Sequence, residues 1–301
     1  MGNIASRFES HSIAVVTTTS YSKWYRGKLR SIKDTDKIRG DLAVEFVKIA
    51  RKIGYQVVIA DWQSPRTFRK ELSSVAGVIL IRRRSPKRSP SKRQALRKAT
   101  NLSGIKAIVL TEPEKVSLVR DCIQLITEPI LRGGEADIVV PKRNEELLKK
   151  TYPAYQYESE VEGNRTYNEE LRSHKLIDIN EDDLDMFFGP RAFSNDRKIV
   201  SLFMKRYHFS IAHASFPKWY FDAEEFSNTN FFSIVTALRK GLKVKSVEVP
   251  FKYPDTQKQN EEELDELFSE KRKAQRVGLI VELLNFVVYL EKYRGIRVKA
   301  S

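Results

Sequence analysis

The residues best suited to chemistry stand where an apolar run gives out. In AIVLTEPEKV (107–116) the run ends and presents Glu112 and Glu114, one proline apart, with Lys115 directly behind them. Two readings fit these ten residues. Proline and charge commonly end strands, which makes the segment a solvated turn. Two carboxylates can equally hold a divalent cation against a phosphate-bearing ligand, the cation offsetting the ligand's negative charge. The choice depends on what the rest of the chain brings to the same place.

Polar groups recur at the ends of other apolar runs. IAVVTT (13–18) runs into Thr17, Thr18 and Thr19, YQVVIA (55–60) ends on Asp61, and ADIVV (136–140) ends on Pro141-Lys142-Arg143. The segment RRRSPKRSPSKRQALRK (82–98) carries nine Lys/Arg and no acid. Its Ser-Pro steps predict an extended first half. A solvated loop, a nucleic-acid or nuclear-localisation patch, and a phosphate-facing loop with Arg93 and Gln94 opening the next helix all fit this composition. No interleaved aromatics and no nucleic-acid-binding motif accompany the run, so nucleic acid is not the expected partner. Its position after a strand favours the phosphate-facing loop.

The elements that must position these groups alternate. Strands are predicted at 13–18, 55–60, 77–81, 106–110 and 136–140, and helices at 35–53 (stopped by Gly54), 67–74, 93–101 and 115–131. That order implies βαβ units and a mostly parallel sheet, α/β in class, whose ligands bind beyond the carboxyl ends of the strands. The second half is less regular. It contains a helical or loop region with Gln156, Glu160 and Asn164, a turn FFGPRAF (187–193) with Gly189 and Arg191, and the aromatic and acidic segment KWYFDAEEF (218–226). A helix at 229–240, a strand at 243–249, a charged helix at 258–276 and an apolar helix at 277–292 follow.

Composition bounds the class. A chain of 301 residues, 41% hydrophobic, can bury a full core. The net charge of +15 calls for an anionic partner, whether phosphorylated small molecules, nucleic acid or an anionic membrane surface. A single cysteine, Cys122, excludes a disulfide framework and suits a reducing, cytoplasmic compartment. The most apolar stretch, 277–290, is interrupted by Glu282 and Asn285 and is expected as a buried helix rather than a membrane span. Met1-Gly2-Asn3-Ile4-Ala5-Ser6 matches the N-myristoylation pattern, which together with the basic surface would give peripheral membrane association.

Taken in order, these segments resemble the GT-A-fold glycosyltransferases of the broad family-2-like type, over roughly residues 12–255. The resemblance rests on Ile13–Ser20, "VVIADWQS", "SKRQALRKA", "VLTEPEK", "ADIVVPKR", "FFGPRAF", "WYFDAEEF" and "ALRKGLKVKSVEVPFKYP". It implies a Rossmann-like domain over 12–255, an N-terminal tail over 1–11, and a helical extension over 256–301 packed on the same domain. It also implies a nucleotide-diphosphate-sugar donor and a hydroxyl acceptor on a glycan, lipid or protein. Thr17, Thr18, Thr19 and Asp61 would then sit by the nucleoside, and Arg93, Gln94, Lys142 and Arg143 by the donor phosphates. Glu112 and Glu114 stand where the family has Asp-x-Asp, the motif that holds Mn2+ or Mg2+. Asp222, Glu224 or Glu225 would serve as general base, and Gln156, Glu160, Asn164, Gly189 and Arg191 would contact sugar or acceptor. His208 and His213 read as ordinary partly buried histidines or as a further metal or phosphate contact.

The departures bear on the metal. Glu-Pro-Glu lengthens both arms by a methylene, and Lys115 beside it can take over part of the charge neutralisation. A competing reading is a non-catalytic module of this fold that binds nucleotides or polyanions through its basic face. A nucleotidyltransferase would need a glycine-rich loop after the first strand, and residues 17–27 hold one glycine.

Overall fold

The structure, a computed structural model, describes residues 10–207 and 227–292. Its first half is a run of βαβ units: β1 (Ile13–Thr19), α1 (Thr35–Ile53), β2 (Gln56–Asp61), α2 (Arg66–Ser73), β3 (Val78–Arg82), α3 (Arg88–Thr100) and β4 (Ala107–Leu110). A π-helical turn at Leu118–Cys122 leads into α4 (Ile123–Leu131) and β5 (Ile138–Arg143). Then come α5 (Glu145–Thr151), α6 (Ala154–Ser173), β6 (Arg191–Ser194) and α7 (Arg197–Met204). The chain closes with α8 (Ser227–Asn230), α9 (Phe232–Arg239), β7 (Val244–Val249), α10 (Asp255–Glu263) and α11 (Asp265–Lys292).

The seven strands form one sheet in the order β3-β2-β1-β4-β6-β5-β7. Only β6 runs antiparallel to its neighbours β4 and β5. The chain leaves β1 toward β2 and returns on the opposite side as β4, so the order reverses between β1 and β4. In open α/β sheets a ligand crevice opens at that reversal, beyond the carboxyl ends of the strands.

Both faces of the sheet are covered, which is why its strands read as near-continuous apolar runs. Alternation along the strands sorts the side chains into two layers. Val15, Val57, Ile59 and Val109 pack against Phe46 and Val47 of α1 and Phe68 of α2. Val16, Val58, Ala60 and Ile108 face Ala95 and Leu96 of α3 together with Phe193 and Phe286. Burying each of these large side chains is worth about 1.5–3 kcal/mol. Helix α1 ends at Gly54, whose φ of 108° supplies the left-handed cap.

Inside α1, Gly40 is buried under Trp24, whose indole donates to Asp41 at 2.9 Å. A Cβ on Gly40 would lie 2.3 Å from the indole ring. Gly40→Ala is therefore expected to destabilise the protein by about 1–3 kcal/mol, although alanine is otherwise the better helix former. Chemical denaturation measures it, and a neutral or stabilising outcome would show that the Trp24 packing is wrong.

Several expected boundaries are corrected. Helix α3 starts at Arg88, not 93, so the Ser89-Pro90 step is helical. Proline is tolerated there because a first-turn N–H has no intrahelical partner. Only the loop before it is extended, and Arg83 ties that loop down by donating to the carbonyls of Ser85, Pro86, Lys87 and Thr19 and to Ser91 Oγ. Lys142 and Arg143 lie within β5 rather than past its end, because β5 keeps its parallel ladder with β7 through Arg143↔Val249. Residues 152–164 belong mostly to α6, and the charged and apolar segments after 264 form the single helix α11. Among the described residues no helix is long and apolar enough to cross a membrane. Gly2 lies outside the described residues.

Candidate active site

The loops after β1 and β4 share one rim because their strands are in register, with Val16 opposite Leu110 and Thr19 opposite Asp61. The Thr111 N–H extends the ladder by donating to Val16 O at 3.1 Å. Beyond this rim lies a cleft of about 250 Å³. Its walls carry nine Lys/Arg side chains and three carboxylates, Glu112, Glu114 and Glu160.

Glu112 sits at the centre of the first wall. Its carboxylate lies against Gly189, where an added Cβ would come within 2.5 Å of Oε1. A side chain at 189 would push the carboxylate out of this place. Lys92 Nζ stands 3.8 Å from Oε1 and Lys115 Nζ 3.9 Å from Oε2. Burial alone would raise the Glu112 carboxyl, but the two ammonium groups outweigh it and hold it below the usual carboxylate range. Oε2 is buried without a hydrogen-bond donor. Lys92 also donates to Asn230 Oδ1 at 2.9 Å, which fixes its reach across the cleft.

Burial pushes the Lys92 ammonium down to about 8, with the Glu112 carboxylate pulling the other way. A lysine lowered in this way is charged below about 8 and neutral above it. An anion bound against Lys92 is thus expected to hold fully below that value and to weaken as pH rises through about 8. Titrating uridine diphosphate across this range checks it; a profile that stays flat until the ordinary lysine range near 10.4 would remove Lys92 from the anion contact.

Glu114 faces the same cleft and accepts the Tyr21 hydroxyl at 2.8 Å. Tyr21 connects the strand tips, since its backbone N–H donates to Ser64 Oγ at 3.0 Å and Ser64 donates to Asp61 Oδ1 at 2.5 Å. Thr19 donates to the same carboxylate oxygen at 2.7 Å. Burial and the Glu114 carboxylate both push the Tyr21 phenol well above its ordinary value, so it remains a donor.

The second wall is built around Arg143. Its guanidinium is held bidentate by Asp185, with Nε to Oδ2 at 2.7 Å and Nη2 to Oδ1 at 2.8 Å, and donates in addition to Glu160. It lies over the rings of Tyr152 and Phe188. Gln156 donates to Glu160 at 2.7 Å, and Asn164 to Asp185 at 2.6 Å. Burial raises the Asp185 carboxyl, but Arg143 and the Asn164 amide more than reverse that and keep it low. The third wall is one face of α11, where Phe268, Lys271, Arg272, Gln275, Arg276 and Leu279 recur at helical spacing.

Of the expected site residues, Thr18, Thr19, Glu112, Glu114, Arg143, Gln156, Glu160 and Gly189 line the cleft together. Thr17 is buried in the sheet, and Asp61 is enclosed by Thr19 and Ser64 and helps to hold the β1 loop. Asn164 braces Asp185 behind the wall. Arg93, Gln94, Lys142 and Arg191 are not on the cleft wall. Gln94 bonds the backbone of Arg82 and Arg84, and the buried Arg191 spends its donors on the carbonyls of Met186, Phe188, Pro190 and Asn230. Asp222, Glu224, Glu225, His208 and His213 lie outside the described residues.

Lys92, Tyr21, Asp185 and Asn230 were not anticipated. Lys92 was within reach, because it precedes Arg93 in the basic run. Starting α3 at Arg88 puts Arg88 and Lys92 four residues apart on the cleft face and turns Arg93 away.

No protein-family model matches the chain, and no curated protein matches it significantly in sequence. Solved structures match over most of its length. Glucosyl-3-phosphoglycerate synthase from Mycobacterium tuberculosis, in complex with phosphoglyceric acid, aligns over 92% of this chain and 81% of its own, at TM-score 0.50 and 13% identity. The same enzyme with Mn2+, uridine diphosphate and glucosyl-3-phosphoglycerate aligns over 91% and 81%, at TM-score 0.48 and 14% identity. A structure from Desulfovibrio desulfuricans G20 ascribed to a nucleotide-diphospho-sugar transferase aligns over 92% and 97%, at TM-score 0.44 and 10% identity. The chain has a GT-A-like fold. At such identities the likeness speaks for the fold, and the chemistry has to be argued from the cleft.

Proposed function

We propose that the protein is a glycosyltransferase that moves a sugar from a nucleoside-diphosphate sugar to an acceptor hydroxyl. One observation carries this reading: a cleft at the β1/β4 reversal whose cations outnumber its carboxylates nine to three. Arg88 and Lys92, one helical turn apart, offer a diphosphate paired positive charge, and Thr18 offers a hydroxyl on the same cleft. In the transfer, the bond between the sugar's anomeric carbon and the diphosphate oxygen breaks as the acceptor oxygen forms a new bond to that carbon. The electron pair leaves with the diphosphate, where Lys92 and Lys115 receive the developing charge. The acceptor proton goes to a carboxylate, for which Asp222, Glu224 and Glu225 remain the proposed bases.

Glu112 and Glu114 are the residues that would hold Mn2+ or Mg2+, and the unpartnered Glu112 Oε2 is a fitting ligand atom. When bound, the metal would neutralise charge on the departing nucleoside diphosphate. Glu112 is shared with two ammonium groups, so the protein's own cations carry part of that charge. Among the described residues no three His, Cys, Asp or Glu side chains gather as a complete ligand set.

The test is a thermal-shift screen of uridine and guanosine diphosphate sugars with and without Mn2+. A ligand at 100 times its Kd stabilises the folded state by about 2.7 kcal/mol, so even weak donors register. Stabilisation by one class of donor is the expected outcome. The observation favouring the non-catalytic alternative is that both Glu112 oxygens already face ammonium groups. That alternative predicts no response to any donor, together with polyanion binding that falls steeply with salt.

A further inference from the structure

The charge in the cleft exceeds what the donor needs. Nine cations and three carboxylates line the cleft, and Asp185, Glu261 and Glu162 pair Arg143, Arg39 and Arg276 from behind the wall, which leaves a surplus of three. A nucleoside-diphosphate sugar brings about two negative charges, one for each phosphate. About one positive charge then remains, and a bound metal would increase that number. Like charges confined in a partly desolvated cleft repel one another unless a second anion enters.

The surplus has a location. Along the cleft face of α11, Lys271 has no carboxylate within 4.0 Å among the described residues, and its ammonium approaches only the ring of Phe268, at 5.9 Å. Arg272 donates Nη1 to Gln275 at 3.2 Å and is 4.0 Å from Glu160, a carboxylate already engaged by Arg143 and Gln156. Arg272 Nε is buried and has no acceptor. Arg39, reaching in from α1, gives Nη2 to Glu261 at 2.8 Å, and its Nε is likewise buried without an acceptor. The acids of this helix segment, Asp265, Glu266 and Glu270, are not on the cleft wall. Burial and the cations Arg39, Arg88 and Arg272 together pull the Lys271 ammonium down, and the Glu261 carboxylate opposes them only in part.

We propose that the acceptor sugar-binding hydroxyl belongs to a phosphate-monoester-bearing molecule, whose phosphate is bound by Lys271, Arg272 and Arg39 on the α11 wall. The three terminal oxygens of a phosphate monoester suit the unused guanidinium donors of Arg39 and Arg272 better than the two of a carboxylate. This assignment rests on the glycosyltransferase reading only in calling the phosphate carrier an acceptor. The anion site stands on its own geometry.

The full-length chain is titrated with inorganic phosphate, alone and saturated with uridine diphosphate, and its melting temperature is followed against chloride at equal ionic strength. The expected result is a further stabilisation by phosphate on top of that by the nucleotide. In Lys271→Gln/Arg272→Gln the phosphate response is expected to weaken about 10-fold or more, the scale for losing charge-assisted hydrogen bonds. The single exposed variant Lys271→Gln guards against misfolding and is expected to show part of that loss. Phosphate that acts no better than chloride, or acts equally on wild type and both variants, overturns the site. If phosphate binds and the variants lose it while no nucleotide or donor sugar binds, the anion site holds and the glycosyltransferase reading falls. Glycerol phosphate and vesicles containing phosphatidic acid separate the sources of the phosphate. A response to the first assigns a water-soluble acceptor, and a response confined to the vesicles assigns a lipid one.

Discussion

The double variant Glu112→Gln/Glu114→Gln is expected to lower turnover of the nucleotide sugar by on the order of 100-fold, the scale for removing one preorganised electrostatic group. The amides keep the volume of the side chains, so the contact of residue 112 with Gly189 and the fold around it are retained. What changes is charge. Glu112 loses its hold on Lys92 and Lys115, and Glu114 loses the negative charge that accepts the Tyr21 hydroxyl. With Glu112 gone, burial acts on Lys92 without opposition and lowers its pKa further below 8. The pH at which uridine diphosphate binding fades should therefore move down in the variant. Steady-state hydrolysis of the donor at saturating Mn2+ measures the first effect and the titration measures the second. Hydrolysis unchanged from wild type would remove both carboxylates from the chemistry.

The second large effect is on folding. Arg143→Leu removes the partner of two buried carboxylates, since Asp185 is 6% and Glu160 7% exposed and Arg143 itself 1%. Breaking a buried ion pair from one side costs about 3–5 kcal/mol because the remaining charge is stranded. Against a typical total of about 5–15 kcal/mol, much of the stability is at stake. The pH dependence separates this cause from simple loss of packing. In the wild type, Asp185 has a depressed pKa, so its contribution is present above the unfolded carboxylate value near 3.9 and is lost only as pH falls through the lower folded value. In Arg143→Leu the same carboxyl is left to burial, its pKa rises, and protonation on mild acidification relieves the strain. Urea denaturation should find the variant gaining stability from neutral toward mildly acidic pH while the wild type stays flat. Adding Asp185→Leu should recover part of the loss, because matched apolar replacement of a buried pair is often near neutral. A loss under about 1 kcal/mol, or one independent of pH, would show that Arg143 is not the hub of this wall.

Much of the sheet was legible in the residues themselves. A parallel strand buried on both faces must be apolar throughout, so IAVVTT, YQVVIA and AIVL announced themselves, and polar residues could appear only at their ends. The expectation that strand tips share a rim followed from the βαβ order, and Thr18, Thr19, Glu112 and Glu114 do meet there. The order did not reveal which way each tip residue points. Thr17 and Thr19 are two apart and therefore on one face of β1. Thr17 is buried within the sheet, whereas Thr19 sits where the strand ends and its hydroxyl reaches Asp61.

The cations were harder to place. In the run 82–98 every residue type suggests phosphate, yet Arg83 serves backbone carbonyls, Arg93 faces away, and Lys92 reaches Glu112. Those assignments depend on the phase of α3, set by its start at Arg88, and a shift of one residue turns a helical side chain by about 100°. The α11 wall has no local signature at all. Its alternation of Lys, Arg and Gln reads as an ordinary solvated face, and only its packing against α6 turns that face inward.

Composition and strand order by themselves determined that this protein is a basic α/β chain with acids and cations gathered at the strand tips. The pairing of Glu112 with Lys92, the Arg143–Asp185 hub and the inward placing of the α11 cations were decided by tertiary structure alone. These are contacts between segments from about 20 to more than 150 residues apart. The energy of each depends on burial and distance rather than on neighbouring sequence.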